Sequence, residues 1–162
     1  MFSIGDKVVY PMHGAGVIEN LETKIIGGQP RDYYNISLLG GNIRLAIPVS
    51  NTGNIRLRPI VSAEEAEQIL AYFSDIVIDV TAPWGKRFKE NNEYLKSGMP
   101  EKVAEVVKIL MLRDKNVGLS TGDRMMMVNA KNIMCSELAM ALNLSHEDIL
   151  AKLQEVIDHT LG

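Results

Sequence analysis

Apolar and polar residues alternate in short runs over residues 1–59, a pattern typical of half-buried β-strands. The runs cover 7–10, 17–26, 33–38, 43–47 and 55–58. Gly27-Gly28 and Gly40-Gly41 separate neighbouring runs, as tight hairpin turns require. The pattern predicts a small five-stranded β-barrel of the SH3 or Tudor type that ends at Pro59.

Beyond Pro59 the spacing of the apolar residues changes to that of amphipathic helices. Ser62–Glu65 and Ser145–Asp148 have the sequence of helix capping boxes, and Pro83 and Pro100 suit first helical turns. The predicted helices cover 62–74, 84–97, 100–117 and 121–142, with a fifth beginning near 145.

These elements predict a multi-domain protein, β then α. The barrel would occupy residues 1–59, and a five-helix bundle would occupy residues 60–162. In the second helix, the residues expected in the core are Phe88, Tyr94 and Leu95.

Composition excludes several classes of protein. The 162 residues include one cysteine, Cys135, and three histidines, so neither an internal disulfide nor ordinary zinc-ligand spacing can be assembled. No apolar run reaches the length of a membrane span, and no signal-peptide pattern opens the chain. No nucleophile has an evident base nearby in sequence. We therefore expect a cytoplasmic, non-enzymatic protein without cofactor, metal ion or small-molecule substrate.

Charge is unevenly distributed along the chain. The net charge of the whole is −3, yet residues 81–131 carry 10 Lys/Arg and 6 Asp/Glu, a net of +4. The segments before and after carry −3 and −4. A polyanion senses local charge density, so the middle segment is the candidate for contact with nucleic acid.

The single tryptophan, Trp84, lies at the start of that basic segment. Pro83 precedes it, and Lys86, Arg87 and Lys89 follow within five residues. A helix N-terminus attracts phosphate, and an aromatic ring beside cations suits a minor-groove wedge. The alternative is that Trp84 packs between helices while the cations form a solvated face.

Several motifs together resemble one family. The chain opens with GDKVVYPMHG at 5–14, continues with PWGKRFKEN at 83–91 and KVAEVV at 102–107, and ends the series with Arg113-Asp114 and Gly118–Ser120. These segments, in this order, resemble the CarD/CdnL family of bacterial transcription regulators over nearly the whole chain.

The resemblance implies a function. In that family the N-terminal domain binds the lobe of the RNA polymerase β subunit, and it resembles the polymerase-interacting domain of the transcription-repair coupling factor. The helical domain contacts promoter DNA at the upstream edge of the transcription bubble, where a tryptophan enters the minor groove and stabilises the open complex. The DNA-contacting residues implied here are Trp84, Lys86, Arg87, Lys89 and Arg124.

The resemblance also implies polymerase contacts on the strands. Lys24 matches a position that is often Arg in the family, and Ile26 follows it on the same strand. Where the family often has a second Arg, this chain has Ala46; Arg44 lies two residues earlier on the same strand face and would serve instead. We expect a monomer with no membrane contact. The rival interpretation is an adaptor of polymerase or ribosome that never touches DNA.

Overall fold

The computed structural model describes residues 2–39, 43–78 and 84–160, without the side chains of residues 84–86. The strands are β1 (Lys7–Tyr10), β2 (Gly14–Ile26), β3 (Gln29–Leu38), β4 (Arg44–Pro48) and β5 (Arg58–Pro59). The helices are α1 (Ala63–Asp75), α2 (Trp84–Ser97), α3 (Pro100–Asn116), α4 (Thr121–Leu142) and α5 (His146–Asp158). The predicted order, strands followed by helices, is confirmed.

The strands form one antiparallel sheet in the order β4-β3-β2-β1-β5. Among the described residues, β4 and β5 are the two edges, and no pairing between them closes the sheet. The sheet is therefore open, and closure into the predicted barrel is not confirmed. One reason is that β5 has only two residues and offers little backbone for further pairing.

The last strand is shorter than the alternation from Ile55 predicts. Val49–Asn51 forms a 3-10 helix, and the amide of Leu57 donates to the carbonyl oxygen of Thr52 at 3.2 Å. Arg56 has a φ of 58°, a left-handed value that interrupts an extended strand. Leu57 is thus buried although it follows a turn and does not belong to a strand. The prediction of a strand that begins at Ile55 is wrong.

One face of the sheet carries a small core, and we call this the inner face. Its buried members are Val8, Ile18, Tyr34, Ile36, Leu38, Ile47 and Leu57. Phe2 packs edge-on against Tyr34, with ring centroids 6.2 Å apart. Burying each large apolar side chain contributes about 1.5–3 kcal/mol, which offsets the entropy of ordering the strands.

A β-bulge interrupts β2 between Ile18 and Asn20. Ile18 pairs with Ile36 and Asn20 with Asn35, so Glu19 is one extra residue on β2. Since side chains alternate between faces, this insertion reverses the faces of all later residues of the strand. The even-numbered residues of β2 beyond the bulge therefore lie on the outer face, opposite the small core.

The helices surround a larger core. Capping boxes begin α1 at Ser62 and α5 at Ser145, as predicted, and Ser120 caps α4. The largest fully buried side chains of this core are Phe73, Leu95, Val106, Leu110, Leu138, Ile149, Leu153 and Ile157. No described helix has the length and apolarity needed to cross a bilayer.

The core face of α2 differs in part from the prediction. Leu95 is buried and Tyr94 is half-buried against the helical core, but Phe88 is 46% exposed. The buried position one turn before Leu95 is Asn91. Phe88 lies in the first turns of α2, where it meets the start of α4 instead of the centre of the bundle. The prediction of Phe88 as a core residue is therefore wrong.

The first strand is buried on both faces. Val8 belongs to the small core, while Val9 on the outer face packs among residues of the helical part, including Leu95 and Leu138. Ala15, opposite Val9 on β2, donates its N–H to Ser136 Oγ on α4 at 3.0 Å. Among the described residues, the helices thus cover the outer face at β5, β1 and the start of β2. Division of the chain into domains at 59/60 stays a prediction.

Candidate nucleic-acid interface and exposed sheet face

The N-terminal turns of α2 and α4 lie side by side. A Cβ added to Gly122, in the first turn of α4, would lie 3.9 Å from the Phe88 ring of α2. The helix containing Trp84 begins at that residue, as Pro83 predicts. Trp84 and Lys86 therefore belong to the first turn of α2, although their side chains lie outside the described residues. Two helix starts meet on one surface.

The cations predicted to contact DNA differ in exposure. Lys89 is exposed and Arg87 is half-buried. Arg124 Nη2 lies 3.3 Å from Asp114 Oδ1, with about half of the arginine side chain exposed (55%). An exposed ion pair of this kind contributes only about 0–1 kcal/mol, so Arg124 can exchange it for a phosphate at little cost.

Apolar side chains adjoin these cations on the outer side of α4. Met125 is 69% exposed and Val128 is 59% exposed, and both line an open groove of about 560 Å³ together with Thr121, Arg124, Asn129 and Asn132. Sequence reasoning missed them, because a run of methionines in an apolar helix more often fills gaps in the core than faces solvent. Of the residues Met125–Met127, only Met127 is buried. The helical phase separating Met125 and Val128 from buried Met127 and Ala130 was the available signal.

Part of the basic charge in residues 81–131 serves the fold. Lys108 is buried and donates to the carbonyl oxygens of Ser74 and Ile76 at 3.0 and 2.8 Å. Lys115 donates to two carbonyl oxygens at the end of α5, and Lys102 pairs with Glu105 at 3.6 Å. The net charge of that segment therefore overstates its basic surface. Of the cations that remain, Lys89 and Arg124 adjoin the starts of α2 and α4, while exposed Lys96 lies in the last turn of α2.

The outer face of β4 carries two residues expected to contact polymerase. Arg44 and Ala46 are exposed and lie opposite Ser37 and Asn35 of β3. They share a face, as their spacing predicts. Arg44 Nε lies 3.6 Å from a carboxylate oxygen of Glu19, the inserted residue of the bulge. β4 is also an edge strand, so the backbone N–H and C=O groups on its free side, away from β3, have no neighbouring strand.

The other two expected contact residues reach the same face because of the bulge. Lys24 and Ile26 lie opposite Arg31 and Gln29, which have the same parity on β3 as Asn35. Lys24 Nζ is 5.2 Å from the centroid of the Tyr33 ring. At about 3.4 Å per residue, the four residues spread over roughly 27 Å along β3. The structure therefore gathers all four on one exposed face.

The fold and the two surfaces define the class of protein: an open antiparallel sheet joined to a helical bundle, with one candidate contact surface on each part. The chain belongs to the CarD family. The family model described as CarD-like/TRCF RID domain matches residues 2–61, and the model described as CarD, C-terminal domain matches residues 68–154. The two matches cover the sheet and the helices respectively.

A curated relative agrees with the family match. The protein named "Putative transcription factor YdeB" from Bacillus subtilis (strain 168) is 34% identical over 149 residues, covering 92% of this chain and 97% of the relative. The family and this relative support a role of the chain that is related to transcription.

Proposed function

We propose that this protein regulates transcription by binding RNA polymerase and promoter DNA together. The outer face and free edge of the sheet bind the lobe of the polymerase β subunit. The starts of α2 and α4 bind the promoter at the upstream edge of the transcription bubble. Trp84 enters the minor groove there and stabilises the open complex. The protein acts as a monomer.

The observation that carries the DNA half is the meeting of two helix starts, marked by the Phe88 ring beside Gly122. A helix N-terminus has a positive dipole end and N–H groups that favour phosphate, although in α4 the Ser120 hydroxyl already accepts from the N–H of Asp123. Lys89 and Arg124 supply full positive charges near these starts. Contacts between cations and phosphates carry no sequence information, so we expect this surface to recognise the backbone and the shape of the DNA.

The polymerase half is supported by the position of β4. An exposed edge strand can accept a strand of a partner, with main-chain hydrogen bonds for affinity and flanking side chains for specificity. Arg44 and Ala46 flank that edge, and Lys24 and Ile26 extend the same face. Binding at the sheet raises the effective concentration of the helical part near promoter DNA, so a modest DNA contact suffices.

The proposed wedge acts on the opened promoter more than on intact duplex. Unstacking a base step costs a few kcal/mol in duplex DNA and less where the bases are already unpaired. Stacking of a base on an aromatic ring is worth about 1–3 kcal/mol. Trp84 would therefore slow collapse of the bubble more than it speeds encounter.

Two lysines of α2 allow a matched test of the DNA half. Lys89→Ala removes an exposed cation near the start of the helix, while Lys96→Ala removes one in its last turn. With polymerase holoenzyme, Lys89→Ala should weaken promoter association and reduce its salt slope by up to about 0.9. Trp84→Ala should shorten the open-complex lifetime while binding to polymerase survives. If Lys89→Ala and Trp84→Ala both show the same promoter association and open-complex lifetime as the Lys96→Ala control, the proposed DNA contact is wrong and the adaptor interpretation replaces it.

The polymerase half has its own test. Arg44→Glu should weaken binding of the full chain to holoenzyme in the absence of promoter, because it reverses a charge on the proposed docking face. Lys152→Glu makes the same change in charge on an exposed position of α5, and it should bind normally. Equal losses in the two variants would show a general effect of charge and remove the sheet face from the proposal.

A further inference from the structure

Arg58 of β5 connects three separate parts of the chain. Its Nη1 and Nη2 donate to the two carboxylate oxygens of Glu137 on α4 at 2.6 and 2.8 Å. Its Nε donates to the carbonyl oxygen of Gly98, the residue that follows α2, at 3.0 Å. Nη1 also reaches the carbonyl oxygen of Pro59 at 3.0 Å. One guanidinium thus joins the sheet, the end of α2 and α4.

The carboxylate of Glu137, which pairs with Arg58, is also fixed in place by its surroundings. Glu137 is 4% exposed, and the backbone N–H of Val61 donates to its Oε2 at 2.9 Å. A guanidinium and a carboxylate that meet through two parallel hydrogen bonds have one preferred relative orientation. The pair therefore fixes an angle between β5 and α4 as well as a distance.

The residue before Glu137 makes a second connection between sheet and helices. Ser136 Oγ accepts a hydrogen bond from the N–H of Ala15 on β2, in a buried site. Between these two connections, side chains of β1, α2 and α4 leave a cavity of only about 10 Å³. A void of that size barely holds one water molecule, so the junction is closely packed.

We propose that Arg58 is a positioning residue that sets the angle between the sheet and α2. It binds the carbonyl oxygen of Gly98 at the C-terminal end of α2, while the candidate DNA-binding residues of α2 lie at the opposite end of that helix. A helix of 14 residues is roughly 21 Å long, so each 10° of tilt at Arg58 displaces the start of α2 by about 4 Å. The junction thereby fixes the distance between the sheet face and the start of α2.

The orientation can be measured without any partner. Spin labels on Lys7→Cys in β1 and Glu90→Cys in α2, both exposed positions, report the distance between sheet and helix in the full chain. Cys135 is fully buried and does not compete for the label. Arg58→Lys keeps the charge but loses the two-pronged geometry, and Arg56→Lys makes the same change at an exposed neighbour.

The parent and Arg56→Lys should give one narrow distance distribution, and Arg58→Lys should broaden or shift it by several ångströms. Glu137→Gln removes the charge while keeping the shape, and it should act in the same way as Arg58→Lys. Both variants are first checked for a cooperative thermal transition. If either variant folds with the parental distribution, Arg58 does not set the angle. If neither folds cooperatively, the pair is required for folding and the positioning role is overturned.

The consequence for transcription rests on the proposed function. With holoenzyme and promoter at saturating protein, Arg58→Lys should lose most of the extension of open-complex lifetime while its affinity for polymerase stays within about twofold of the parent. An unchanged lifetime with an altered label distance would show that the angle does not matter at the promoter. If the parent itself fails to extend the lifetime, the proposed function fails, whereas the label distances still decide the positioning role.

Discussion

Replacing Gly14 by alanine probes the contact between the sheet and α4. Gly14 has a φ of 101°, which glycine adopts freely and other residues rarely adopt. A Cβ at this position would lie 2.8 Å from Ser136 Oγ. That oxygen accepts from the N–H of Ala15 at 3.0 Å and donates to the carbonyl oxygen of Ile133 at 3.1 Å. The hydroxyl cannot move aside without breaking a buried hydrogen bond.

The expected cost has two parts. Holding a residue with a Cβ in this backbone conformation costs about 1–3 kcal/mol. Losing the acceptor of a buried backbone N–H costs a further 1–3 kcal/mol or so. Gly14→Ala should therefore lower the free energy of unfolding by about 2–6 kcal/mol in total.

Gly5 offers a matched control. Its φ is 91°, and nothing lies within 4 Å of the position that its Cβ would occupy. Gly5→Ala therefore carries the backbone cost without the collision. Urea denaturation followed by circular dichroism should show that Gly14→Ala loses about 1–3 kcal/mol more than Gly5→Ala. Adding Ser136→Ala to Gly14→Ala should cost less than the sum of the two single changes, because both break the same bond to Ala15. Equal losses for the two glycine variants would refute the argument.

Three further outcomes follow from buried or closely packed groups. Gly122→Ala should raise the thermal midpoint, since alanine favours a helix by up to about 1 kcal/mol and the new methyl would meet the Phe88 ring at an ordinary 3.9 Å; a lower midpoint would contradict the packing. Burial raises the pKa of Cys135 to about 12, so thiol reagents at pH 8 should modify it only after unfolding, and rapid labelling of the native protein would contradict this. Burial lowers the pKa of Lys108 below its ordinary value of 10.5, against the opposing charge of Asp75. On raising the pH, Lys108 therefore loses its proton in the folded state before it does so in the unfolded state, and the free energy of unfolding should rise between the folded pKa and 10.5. Lys108→Met should reduce this rise, measured by denaturation at a series of pH values from about 7 to 10. The same pH dependence in the parent and in Lys108→Met would contradict the prediction.

Local chemistry made much of the helical part predictable. The bounds of α2, Trp84–Ser97, agree with the prediction because Pro83 suits a first turn and Gly98 ends the helix. Ser62 and Ser145 act as caps through side-chain contacts only three residues away. Signals of this range are contained in a short stretch of sequence.

Contacts between distant segments were not predictable in the same way. Arg58 and Glu137 are 79 residues apart, and nothing near either residue indicates the other. Val9 reads as an ordinary strand residue, although the helices bury it. Phe88 has the right spacing for the core face of α2. At the start of the helix, however, this face lies beside the first turn of α4 and not over the core, so Phe88 stays partly exposed. The exposure of Met125 depends on the same packing between elements.

The bulge at Glu19 makes the hairpin of β2 and β3 sensitive to a change in length. Deleting Glu19 itself would remove the bulge and leave every later pair and face unchanged, whereas deleting one residue between Leu21 and Lys24 would turn Lys24 and Ile26 to the inner face and Ile25 outward. Composition and net hydrophobicity would hardly change in either case, but only the second deletion would change the docking surface. Among relatives of this protein, a one-residue gap beyond the bulge therefore alters the exposed surface more than a gap at Glu19 does. Designed variants of the hairpin must count positions from the bulge and not from the start of the strand.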